Sequence, residues 1–267
     1  MPIFGAQNPS AQGLINIQLN HSYAEIIILA ITVELRACTE GSFPYENTQM
    51  PHDPNTNAEH EIFVFDFDGT ITTRDTFALF LRYYAGTVRW AVNITRLLPT
   101  FAAYKLGRID RHAVKLAVIN RFFAGESADD VESRAKQFAT EVIPNLIRPA
   151  AQDRIDTLLN SPECGPESLY ICSASIGPYL REWASSCGIH ERNVMSSELT
   201  IMNGRITEGL FGYNVWGINK VRRILDQFAP HSVRIVEAYG DTRGDWEMLH
   251  AAEASYFKPF RVKPINN

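Results

Sequence analysis

Apolar and polar positions along this chain fall into two regimes, short unbroken apolar runs and long stretches with a helical period. Ile62 to Phe65 has no alternation and is closed by Gly69-Thr70, which predicts a strand buried on both faces and then a turn. Leu169 to Cys172 is a run of the same kind, and Val233 to Ala238 is an apolar run interrupted by Arg234 and Glu237. Between the first two lie about 100 residues, Thr76 to Glu167, helical throughout, with a helical stretch beginning near Asp75 and too much chain for one crossover. Phe77, Leu79, Phe80, Leu81, Tyr83 and Tyr84 open it, and Ser127 to Val142 predicts an amphipathic helix with Asp129, Asp130 and Glu132 near its positive end. Glu198 to Thr207 predicts a hairpin turning at Asn203-Gly204. Doubly buried strands separated by helices predict an α/β fold, a doubly wound Rossmann-like parallel sheet, with an all-helical cap inserted after the first strand. The expected division is a core of 61–75 and 168–267, a cap of 76–167 and an N-terminal extension of 1–60.

That extension follows neither regime. Pro2 to Gly13 is small and polar, Ala24 to Leu35 apolar, and Thr39 to Glu61 rich in Asn, Pro, Asp and Glu without a period, which reads as linker or disorder. The apolar run is about 12 residues against the roughly 20 needed to span a bilayer, and it lacks a basic leader and a small-residue cleavage site. Two readings stand: translation begins at Met50, or the extension is a loosely packed appendage helix.

Composition narrows the class. With 267 residues, 45% of them hydrophobic and 21% charged, the chain can bury a sizeable core. A net charge of -5 without a basic tract leaves no footprint for nucleic acid. Cys38, Cys164, Cys172 and Cys187 form no metal-binding spacing, so free thiols in a reducing, cytoplasmic compartment are expected.

The chemistry lies at the strand ends. Asp66 and Asp68 follow the first apolar run two residues apart, where ligands bind in open parallel sheets. Two close carboxylates repel unless a cation or a shared proton offsets them, so a divalent metal is the natural companion. Core packing supplies no reason for two acids there.

Asp66-Phe67-Asp68-Gly69-Thr70 resembles the first motif of the haloacid dehalogenase-like hydrolases, and three further stretches resemble the others in order. These are Leu169 to Ser173, Lys220 in Gly217 to Val221, and Gly240-Asp241-Thr242-Arg243-Gly244-Asp245. The resemblance implies a phosphatase, with Asp66 as nucleophile forming an aspartyl-phosphate and Asp68 as general acid and base. Lys220 would neutralise the phosphoryl oxygens and Asp66, while Thr70, Ser173 and Ala174 line the phosphate site. Asp66, Asp241 and the backbone carbonyl of Asp68 would hold Mg²⁺, with Asp245 binding it directly or through a ligand.

The helical insert resembles that of the phosphoserine-phosphatase-like branch, subclass IB. Against phosphoserine itself stand Asp75 in place of a glutamate, Ser173-Ala174-Ser175 in place of Ser-Gly-Gly, and Gly244 in place of an asparagine. The pattern, with Tyr256 to Arg261, is similar to the sister group of phosphatidylglycerophosphatase C and CicA-like proteins. Val88 to Leu106 interleaves Trp90, Val92, Ile94, Leu97, Leu98, Phe101 and Tyr104 with Arg89, Arg96 and Lys105, which suits either peripheral contact with the inner face of a membrane or a cap core kinked or divided at Pro99. The expected partner is thus a phosphorylated small molecule or a lipid headgroup such as phosphatidylglycerophosphate. A phosphotransferase would use the same residues, whereas Asp68 disfavours a dehalogenase.

Overall fold

The computed structural model describes residues 60–162 and 164–261. The expectations for residues 1–59, including a start at Met50 and an appendage helix, lie outside the described residues. The unbroken apolar run demands cover on both faces, and β1 (His60–Phe65) sits inside a six-stranded sheet between β2 (Leu169–Ile176) and β5 (Val233–Gly240). With β3 (Val194–Met202), β4 (Arg205–Phe211) and β6 (Ala252–Phe257) the order is β4-β3-β2-β1-β5-β6, parallel except for β4. The chain leaves β1 towards β2 and β3 and returns on the other side as β5 and β6, so the winding reverses at β1. A crevice at the carboxyl ends of β1 and β5 follows from that reversal. Phe65 pairs with Ile171 on one side and Tyr239 on the other, which brings Asp66, Ser173 and Asp241 to one rim.

One sheet face packs Ile62, Val64, Cys172, Met195 and Ile235 against Ile224 and Phe228 of α6 (Ile218–Phe228) and Met248 and Leu249 of α7 (Trp246–His250). On the other, Phe65 stacks on Tyr239 at 4.1 Å between ring centres, and Phe260 lies 5.5 Å from Tyr239.

The longer helices between β1 and β2 are α1 (Thr76–Lys105), α2 (Arg111–Phe123), α3 (Ala128–Glu141) and α4 (Pro149–Leu159). Asp75, Asp110 and Ser127 start the first three by accepting the amides of Ala78, Ala113 and Asp130. Phe80 of α1 gathers Phe123, Phe138 and Tyr179 within 6.1 Å between ring centres. Because Tyr179 belongs to α5 (Gly177–Ser186), which follows β2, this aromatic cluster joins the inserted helices to the sheet layer.

The expected helix over Ser127 to Val142 and the hairpin at Asn203-Gly204 are present, the turn residues at φ 51° and 72°. One local expectation changes. α1 runs through Pro99 and breaks at Gly86, whose φ of 71° and ψ of 164° only glycine adopts readily. Pro99 is exposed, so the carbonyl freed by its missing N–H can turn to water. β2 continues past Ser173 to Ile176, and the next helix begins at Gly177. Cys164, Cys172 and Cys187 are free thiols. Among the described residues no helix is long and apolar enough to cross a membrane.

Candidate active site

Asp66 is the first residue beyond β1, and its amide donates to the Tyr239 carbonyl at 2.8 Å, tying it to β5. The chain must then turn back sharply over Asp241. Gly69, at φ 83°, makes this turn, and a Cβ there would lie 2.4 Å from Asp241 Oδ2. Lys220, on the first turn of α6, is fully buried and reaches Asp66 Oδ1 at 2.6 Å, Asp245 Oδ1 at 2.6 Å and the Cys172 carbonyl at 2.7 Å. Its three donors are therefore all used.

The turn after β5 winds around its own acid. Asp245 Oδ2 accepts the amides of Asp241 at 3.0 Å and Thr242 at 2.9 Å and the Thr242 hydroxyl at 3.1 Å. Asp241 takes a long bond from the Thr70 hydroxyl at 3.5 Å and an ion pair from Arg261 at 2.7 Å. Thr70 also donates to Asp66 Oδ2 at 3.2 Å, so its hydroxyl is turned to the carboxylates.

Asp66, Asp241 and Asp245 each present an oxygen, all within 4.8 Å of one another and all buried. Three buried acids face one buried lysine, which leaves excess negative charge among hard oxygen donors. That donor set fits Mg²⁺. The Asp68 carboxylate lies outside this cluster, leaving its backbone carbonyl as the part that can serve a cation. Asp245, with Oδ1 on Lys220 and Oδ2 on three donors, orders the Asp241 turn more than it offers a vacant oxygen.

Asp68 has a different environment. Its Oδ1 accepts the amide and hydroxyl of Thr76, each at 2.6 Å, and its Oδ2 accepts a short bond from Ser175 Oγ. Burial, with Asp75 adding to it, pushes Asp68 up to about 6. Burial and then Asp245 also push Asp66 well above the ordinary carboxylate range, and Lys220 opposes them. On Lys220 burial works against the charge, yet Asp245 and Asp66 outweigh it and hold the ammonium well above the ordinary lysine value. One acid thus has a buried cation against it, while the other rests on neutral donors and is pushed up to about 6.

Ser173 is buried, its oxygen accepting the Ser175 amide at 3.1 Å, and Ala174 is partly exposed between them. The structure therefore brings Asp66, Asp68, Thr70, Ser173, Ala174, Lys220, Asp241 and Asp245 to one rim. Sequence reasoning passed over Ser175, Thr76 and Arg261. Ser175 carried a usable signal, since residues two apart on a strand share a face and Ser173 was already chosen. Arg261 carried only the likeness of Tyr256 to Arg261 to the sister group, which did not link it to Asp241: Phe260, stacked under Tyr239, places it.

The profile of the haloacid dehalogenase-like hydrolase family matches residues 63–250. Protein CicA of Caulobacter vibrioides is 33% identical over 219 residues, 81% of this chain and 91% of its own. A crystal structure of a protein of unknown function from Bordetella pertussis Tohama I has a TM-score of 0.62 at 18% identity, covering 72% of this chain and 86% of its own. That of a probable phosphoserine phosphatase from Vibrio cholerae has a TM-score of 0.52 at 13% identity, covering 74% of this chain and 56% of its own. At such identities both structures speak for the fold alone.

Proposed function

We propose, from the premise that this chain belongs to the haloacid dehalogenase-like hydrolase family, that it is a phosphatase cleaving a phosphate monoester through an aspartyl-phosphate on Asp66. The observation that carries the reading is the division of labour between two acids two residues apart. Asp66 is paired with buried Lys220 at 2.6 Å, the neighbour that opposes the burial and the Asp245 charge raising it, and Asp68 is pushed up to about 6 by burial. Asp66 attacks phosphorus, and Asp68 gives its proton to the leaving alkoxide. Asp68, now ionised, takes a proton from the water that cleaves the acyl phosphate, which regenerates both acids. Lys220 offsets charge on Asp66 and on the transferred group, and the rim at Ser173 and Ala174 receives the phosphoryl oxygens. Mg²⁺, held by Asp66, Asp241 and the Asp68 carbonyl, would supply the charge neutralisation that one lysine cannot.

In this reading α1 to α4 form a cap over the rim, one that opens for substrate and closes against water. A lipid phosphate is the favoured substrate. Its support is the outer side of α1, where Val88, Val92, Leu98 and Leu106 are exposed with Arg96 and Lys105 beside them, a composition suited to an anionic interface. Phosphate release is to be measured with Mg²⁺ and with EDTA on phosphatidylglycerophosphate in mixed micelles, phosphoserine, sugar phosphates and nucleotides. Metal-dependent release from the lipid, lost by about 10³-fold or more in Asp66→Asn, is expected. Activity surviving in Asp66→Asn overturns the mechanism. Release only from soluble esters, with no flotation on anionic liposomes, overturns the lipid assignment.

A further inference from the structure

Beyond β6 the chain returns to the rim. Lys258 turns it at φ 55°, a left-handed conformation uncommon for a residue other than glycine. Its amide donates at 2.7 Å to the carbonyl of Gly240, the residue just before Asp241. Phe260 then stacks on Tyr239 and on Phe65, its ring 15° and 11° from parallel and 5.5 and 6.2 Å away between centres. Those two rings stand on β5 and β1, the strands that lead into Asp241 and Asp66. A side chain following Phe260 is therefore placed twice over, by a backbone bond to the end of β5 and by an aromatic stack. Arg261 is that side chain, and its guanidinium lies 2.7 Å from Asp241 Oδ2.

What the contact does depends on which oxygen it takes. The Thr70 hydroxyl lies 3.2 Å from Asp66 Oδ2 and 3.5 Å from Asp241 Oδ1, so one hydroxyl is shared by one oxygen of each acid. The other oxygen of each is held by a cation: Asp66 Oδ1 by Lys220 at 2.6 Å and Asp241 Oδ2 by Arg261. Asp241 Oδ2 also lies against the Gly69 backbone, where a Cβ would be 2.4 Å away. Gripped there, the Asp241 carboxylate cannot turn about its own bond to exchange its two oxygens.

We propose that Arg261 is a positioning residue for the metal site: by holding Asp241 Oδ2 it keeps Oδ1 turned towards Asp66, as the oxygen offered to a divalent cation. This rests on the cation assignment within the phosphatase reading and deepens it. A guanidinium beside such a site also repels the metal. Water weakens that repulsion, since 39% of the Arg261 side chain is exposed, whereas the orienting bond acts on an acid whose side chain is only 2% exposed. Orientation outweighs charge, so removing Arg261 weakens cation binding.

The test titrates Mg²⁺ alone into the full chain by calorimetry, with no substrate present. Arg261→Met should bind Mg²⁺ about tenfold or more weakly, the usual cost of losing a group that orients a metal ligand. Arg261→Lys keeps a cation beside Asp241 and should recover most of the loss. Phe260→Leu keeps the guanidinium but thins its anchor; it should weaken binding several-fold, and it carries the test if Arg261→Met does not fold. Equal affinity in Arg261→Met overturns the proposal, and so does tighter binding, which would make Arg261 a competitor of the metal. Phosphate release separates this inference from the reading beneath it. Mg²⁺ binding that depends on Arg261, without release from any ester, keeps the positioning role and rejects the phosphatase. Release with the same half-saturating Mg²⁺ concentration in both proteins rejects the positioning role alone, and no Mg²⁺ binding by the unmodified chain overturns both.

Discussion

Replacing Asp68 with Asn should abolish turnover and stabilise the fold. The second effect tests the electrostatics directly, because it needs no substrate. Asp68 is raised from an ordinary 3.8 to about 6, first by burial and then by Asp75. A carboxyl raised on folding contributes its full stability below about 4, where it is protonated in both states, and loses it as pH rises through about 6. Above that the folded protein holds an ionised acid in a poor environment for charge. A difference of about two pKa units, at 1.36 kcal/mol each, amounts to about 3 kcal/mol at pH 8 and to about half of that at pH 5.

Asparagine removes the charge while keeping the shape. Its oxygen can still accept both Thr76 bonds, and its amide can donate to Ser175 Oγ, whose hydroxyl rotates to suit. Urea unfolding in EDTA, which removes any divalent cation from the comparison, should place the midpoint of the variant about 1 M higher at pH 8, with the gap narrowing steadily towards pH 4. Equal stability at pH 8, or a variant weaker at every pH, would mean that the Asp68 carboxylate carries no burial penalty. The assignment of Asp68 as an acid poised near neutrality would then fall.

Three further substitutions probe the rest of the site. Asp75→Asn keeps the helix cap but removes a charge that raises Asp68, so the descending limb of kcat/KM, which follows loss of the Asp68 proton, should move to lower pH in a rate profile. Lys220→Met leaves Asp66 and Asp245 buried without their cation and should cost about 3–5 kcal/mol in chemical unfolding at pH 8, less at pH 5 where Asp66 can take up a proton. Gly69→Ala strains a backbone at φ 83° by about 1–3 kcal/mol and drives a methyl into Asp241, so calorimetry should show weaker Mg²⁺ binding along with the lost stability.

The parts of this site that were legible in the sequence are those whose role is set within one strand end. Asp66 and Asp68 declare themselves because an unbroken apolar run must be buried and nothing in packing calls for two acids after it. Asp241 and Asp245 are legible only through the resemblance of Gly240 to Asp245 to a motif, and that motif is local because the turn that carries them is wound around the Asp245 carboxylate by neighbours within four residues. Pro99 and Gly86 show the limit of local signals: proline is the stronger helix breaker on average, but an exposed proline costs little where water can replace the lost bond, whereas Gly86 permits a φ that no neighbour would adopt. Ser175 reaches Asp68 across 107 residues, and Phe80, Phe123 and Phe138 pack α1, α2 and α3 together against Tyr179. No period or motif in the chain encodes such contacts. The three departures from the phosphoserine pattern also gain meaning only in three dimensions. Ser175 donates to Asp68, the acid proposed to protonate the leaving group, Asp75 caps a helix with one of its oxygens, and Gly244 leaves room for the Trp216 ring on which Arg111 rests. Ser175 and Asp75 both stand around Asp68, whereas Gly244 lies in the turn that Asp245 orders.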